Sequence, residues 1–149
     1  MSVCVFIAAD CPLPQIRPAD ECPQPVSAGT VAACDDGGND GFFLFPFDDA
    51  DIYTKKKFGV YVELSAYSDG LSERLIDYIK SALGQTDSIE LWNAWLSGYW
   101  EYEDRPHICK KTVGISELTA VAVKEIIEWE NWNNKDPDRP FFYCLEIVR

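Results

Sequence analysis

The chain has 149 residues, 47% of them hydrophobic and 13% aromatic, and its 25 acidic against 13 basic residues leave a net charge of −12. That length fits one domain, 1–149, and the apolar content supplies an ordinary core, so the composition is globular rather than disordered and no metal or disulfide is needed to hold the fold. The charge argues against nucleic acid as a direct partner, because an acidic surface repels the phosphate backbone.

The first predicted element is the apolar run Val3–Ala9. No positive segment precedes it and Asp10 cuts it short, so it reads as a buried strand and not a signal peptide. No stretch approaches the ~20 apolar residues of a membrane helix. A cytoplasmic, bacterial-type protein without membrane attachment is expected. Residues 11–41 form a long irregular loop with five prolines, at 12, 14, 18, 23 and 25. Cys22-Pro23 and residues 26–33 are its candidate pins, with a short edge strand among them. Strands follow at Phe42–Phe47 and Phe58–Ala66, where Val60, Val62 and Leu64 alternate with Tyr61 and Glu63 at the period of a sheet. The connection between them, 48–57, is hairpin-like and reverses sign, from three aspartates to Lys55, Lys56 and Lys57.

Asp69 is placed to cap a helix whose inward face is Leu71, Leu75, Tyr78, Ile79, Ala82 and Leu83. Gly84 would end it through a left-handed backbone. Ile89–Leu96 reads as a strand, with Trp92 and Trp95 on opposite faces, although the two would also suit a helix; Pro106–Val113 reads as another strand. Ser116 or Thr119 can cap a second helix reaching about Asn131, with Leu118, Val121, Ala122, Ile126 and Trp129 inward. Phe141–Val148 closes the chain as a strand. Two amphipathic helices on one face of a largely antiparallel sheet, or a mixed one, give an α+β fold.

The sequence Asp-Arg-Pro occurs twice, at 104–106 and 138–140, each time after a tryptophan and a polar run and before a strand. Proline suits a strand's first residue, where its missing N–H costs no ladder bond, and aspartate suits the turn before it. Two independent uses of a good strand-starting signal explain the echo. The functional alternative puts Arg105 and Arg139 at one end of adjacent strands as an anion pocket.

His107 is the single histidine, so sites needing two imidazoles are excluded. Cys109 lies on the same strand face, but such i, i+2 neighbours stand roughly 6–7 Å apart, too far for a nucleophile–base pair. No phosphate-cradling glycine loop and no nucleophile elbow occur. The run 36–41 matches a calcium loop at its first, fifth and sixth positions but fails at the third and at the twelfth, Phe47, where a bidentate Glu is required. Asp48, Asp49 and Asp51 lie nearby as further oxygens. The six cysteines show no C-x-x-C knuckle, and reduced thiols are expected, with Cys4 and Cys144 as small buried hydrophobes. No cofactor or metal is implied.

The charge is uneven: residues 1–54 carry −8 and residues 55–149 carry −4. Carboxylates gather again beside aromatics at Trp100, Glu101, Tyr102, Glu103 and Asp104, an interface anchor ringed by negative charge. In size, acidity and this aromatic–acidic run the chain resembles many bacterial immunity proteins that block basic toxins. The likeness is one of composition and implies no site residue. The expected function is therefore a non-catalytic module binding a protein, a basic one by charge, through residues 100–104. The rival is a small hydrolase or carbohydrate-binding enzyme using a carboxylate pair beside tryptophans.

Overall fold

In a computed structural model, residues 3–18, 32–35, 43–63, 69–95, 107–128 and 141–149 are described. The strands are β1 (Val3–Ala9), β2 (Gln15–Pro18), β3 (Ala32–Asp35), β4 (Phe43–Pro46), β5 (Phe58–Glu63), β6 (Ser88–Trp95), β7 (His107–Gly114) and β8 (Phe141–Val148). They form one sheet in the order β3-β2-β4-β5-β1-β6-β8-β7. Its middle is antiparallel, and each edge ends in a parallel pair, β2 with β3 and β7 with β8. The sheet is thus mixed and the fold α+β. The stretch 11–41 contributes β2 and β3, so it is not irregular throughout.

Two helices, α1 (Asp69–Ala82) and α2 (Ala120–Ile127), connect β5 to β6 and β7 to β8. Both pack on one face of the sheet. There Leu71, Leu75 and Ile79 of α1 and Val123 and Ile126 of α2 meet Val5, Ile7, Val60, Leu91 and Leu145. Residues Cys4–Ala9 of β1 are buried on both faces, which explains their continuous apolar run. On the opposite face Phe6 stacks on Trp92, with centroids 5.8 Å apart, and tilts against Phe47 at 4.7 Å. Phe142, Cys4 and Cys144 complete this second cluster. The thiols at 4, 11, 109 and 144 are free.

The β4–β5 connection covers part of this second face. It forms a 3-10 turn, Asp48–Ile52, whose Ala50 is buried against β5. A side chain at Gly59 would meet the Ala50 Cβ at 2.6 Å and the Phe47 carbonyl at 3.0 Å, so only glycine admits this approach.

Two helix details differ from the sequence expectation. Gly84 does not take a positive φ; α1 ends in a tightening turn, with the Gly84 N–H donating to the Ser81 carbonyl and Gln85 to Ala82. In α2 the Thr119 hydroxyl caps the Ala122 N–H at 3.2 Å, as expected, but Val121 faces out at 76% exposure and Val123 is buried instead. Asn93 of β6 also reaches this helix, its side-chain amide donating to the Ile126 carbonyl at 2.8 Å. Residues 129–131, the expected end of this helix, lie outside the described residues. No helix among the described residues is long and apolar enough to cross a membrane.

Candidate functional site

Strand register brings carboxylates together on the face opposite the helices. Glu90 of β6 is flanked by Ala8 of β1 and by Glu146 of β8. Alanine leaves room beside it, and Glu90 is only 6% exposed. One of its oxygens accepts two hydrogen bonds, from the Thr54 hydroxyl at 2.5 Å and the Trp92 indole N–H at 2.9 Å. Its other oxygen lies 3.7 Å from the Lys110 ammonium, which also stands 3.5 Å from Glu146. Burial works against the Lys110 charge, but the Glu146 and Glu90 carboxylates outweigh it and raise its pKa.

Cys144 lies beside this group, and burial first, then the Glu90 charge, push its thiol pKa far up. Cys4 is pushed up by burial to about 12. Neither can serve as a thiolate nucleophile near neutrality. A buried carboxylate with both oxygens engaged can tie elements together, and it does: Thr54 belongs to the β4–β5 connection, Glu90 to the sheet. Lys56 adds a second tie, its ammonium 2.7 Å from Ser88 and 3.3 Å from Asp10.

The same connection opens a groove to solvent, about 380 Å³ in volume. Buried Phe47, Ala50 and Val60 lie at its base; exposed Pro12, Asp48, Asp51, Lys57 and Phe58 line its upper walls. Asp48 and Asp51 are i and i+3 in a 3-10 turn, a spacing that stacks their side chains on one side. Asp49 and Ile52 project elsewhere and do not line it. Among the described residues none of Asp48, Asp49, Asp51 and Lys57 makes an ion pair. Phe58 is 41% and Ile52 49% exposed. A second groove of about 340 Å³ is lined by Lys80, Leu83, Ile115, Ser116 and Arg149. Arg149 is engaged there, donating from Nε to the Leu83 carbonyl at 2.8 Å. Neither groove reaches Glu90.

The sequence candidates Trp100, Glu101, Tyr102, Glu103, Asp104, Arg105 and Arg139 lie outside the described residues, as does the calcium-like run 36–41. The strands that follow the two Asp-Arg-Pro sequences are adjacent and parallel, pairing from their first residues, His107 with Phe141. Among the described residues no group of three His, Cys, Asp or Glu side chains is placed to hold a metal ion.

Sequence reasoning missed Glu90 and Lys110. The available signal was a lone glutamate inside the apolar run Ile89–Leu96, two residues before a tryptophan on the same strand face. Comparison of the chain with protein-family models, curated proteins and solved structures returns no match.

Proposed function

We propose that this chain is a non-catalytic protein-binding module whose partner presents a basic surface. The observation that carries the reading is a solvent-facing groove that exposed Phe58 lines together with Asp48 and Asp51, carboxylates unpaired among the described residues, on a chain of net charge −12. Apolar anchors supply contact area; surrounding charge steers a partner of opposite sign and rejects one of like sign. The buried ionic group does not compete with this reading, because Lys110 stands between its two carboxylates. Residues 100–104, outside the described residues, repeat the same aromatic–acidic chemistry in sequence.

The test is capture from native lysate on the immobilised protein, at low and at raised salt. A partner should bind at low salt and leave as salt rises. It should also be lost on Asp48→Lys/Asp51→Lys or on Trp100→Ala/Glu103→Lys. Failure to recover any partner, or capture indifferent to salt and to both variants, refutes the reading.

The rival reading, a carboxylate-dependent hydrolase, needs an open carboxylate pair, whereas Glu90 is buried with both oxygens engaged and Lys110 stands between it and Glu146. That reading requires turnover of an aryl glycoside panel that is abolished by Glu146→Gln in a folded protein. Absence of turnover by the parent protein across the panel leaves the binding module standing.

A further inference from the structure

Among the clefts and charged groups of the described residues, the groove beside the 3-10 turn has the least internal satisfaction. Its carboxylates at Asp48 and Asp51 share one side of the turn and the same cavity, yet neither meets a cation among the described residues. Two like charges held this way repel, and a cation placed between them relieves the repulsion. Beside them the exposed Phe58 ring has no aromatic partner among the described residues. Buried Phe47, Ala50 and Val60 add a small apolar part to a lining whose accessible surface is mostly polar.

We infer that this groove receives an arginine side chain of the basic partner, with its guanidinium against Asp48 and Asp51 and its plane on Phe58. The inference rests on the reading of the chain as an acidic binding module and names the chemistry of one contact. Arginine is favoured over lysine on three counts: a planar fork that can address two carboxylates, a delocalised charge that stacks on an aromatic face, and weaker hydration to strip. A divalent metal fits less well, since two carboxylates fall short of the six to eight oxygens calcium takes. Lys57, which lines the same groove, is the built-in competitor and sets a sign test: removing its charge should strengthen binding.

The experiment titrates the full-length, isotope-labelled protein with acetyl-Gly-Arg-Gly-amide and with its citrulline and lysine analogues, following backbone amide shifts. The arginine peptide should give saturable shifts clustered at residues 48–51 and 57–59. The neutral citrulline analogue should bind about tenfold more weakly, the difference expected of a charge-assisted contact. The lysine analogue should fall between. Asp48→Asn and Asp51→Asn should each weaken the arginine peptide, and Lys57→Gln should tighten it. All three side chains are exposed and make no ion pair among the described residues, so the fold is unaffected.

Equal affinity for citrulline, shifts scattered over the surface without saturation, or indifference to both Asn variants overturns the assignment. So does calcium alone saturating the same amides and displacing the peptide. If the peptide fails while salt-sensitive capture of a basic partner persists and depends on residues 100–104, this contact is wrong and the binding module stands. If capture fails as well, both are wrong.

Discussion

Replacing Glu90 tests how the β4–β5 connection is held to the sheet. Glu90→Ala removes the acceptor of a buried indole N–H, and leaving such a donor unsatisfied costs about 1–3 kcal/mol. Loss of buried methylene packing adds roughly 1 kcal/mol. Lys110 keeps Glu146 and is half exposed, so its loss adds well under 1 kcal/mol, roughly that of a surface pair. The expected total is about 3 kcal/mol, a large share of the ~5–15 kcal/mol of a whole domain.

Glu90→Gln should behave differently, because Thr54 and Trp92 both donate to the same oxygen. A glutamine carbonyl in that place keeps both bonds, and only the charge opposite half-exposed Lys110 is lost, well under ~1 kcal/mol. Urea unfolding followed by tryptophan fluorescence reads the difference. The alanine variant should move the midpoint down by about 1–3 M, given a slope of ~1–3 kcal/mol/M, and the glutamine variant by less than half of that. Equal midpoints for the two variants, or an alanine midpoint at the parental value, would show that the carboxylate's hydrogen bonds do not hold this connection.

Gly59→Ala should destabilise by about 1–3 kcal/mol through overpacking, with part of the loss recovered in Gly59→Ala/Ala50→Gly, which removes the 2.6 Å contact; thermal melts check both. Val121→Asp should leave the melting temperature within about a degree, whereas Val123→Asp, which buries a carboxylate under the sheet, should unfold the protein at ordinary temperature. Thr119→Ala should cost about 1 kcal/mol by removing the α2 cap, read from the urea midpoint. Stability should also fall in alkali. The Cys4 thiol is raised from 9.0 to about 12 in the fold, so below pH 9 its protonated state is shared by folded and unfolded chains. Between 9 and 12 only the unfolded chain releases the proton, and stability is lost as pH rises through that window. Cys144, Cys11 and Tyr78, raised mainly by burial, act with the same sign. Urea midpoints measured from pH 7 to 11 should decline above 9, and Cys4→Ala/Cys144→Ala should flatten the decline.

The elements themselves were legible because hydrophobic period reports them locally. Val3–Ala9 and Phe141–Val148 read as strands from end to end, and the inward face of α1 from Leu71 to Leu83 follows helical spacing. The second helix shows the limit. Its apolar residues fit two rotations, and packing against the sheet, where Val123 and Ile126 join the core, leaves Val121 exposed. Strands β2 and β3 were hidden in a proline-rich stretch, where pairing with β4 and with each other, not alternation, supplies the order.

The sequence by itself determined the acidity, the exclusion of histidine-pair and phosphate-loop chemistry, and the division into strands and helices, all properties of composition or short-range pattern. Tertiary structure alone decided which charges are sealed and which remain open. Strand register sets Glu90 beside Glu146 and under Lys110, where hydrogen bonds and an ammonium engage both its oxygens. The 3-10 turn instead leaves Asp48 and Asp51 together at the mouth of a groove. Carboxylates that are equivalent in a composition count differ in consequence, because Coulomb and hydrogen-bond energies depend on distance and burial that only the folded chain supplies.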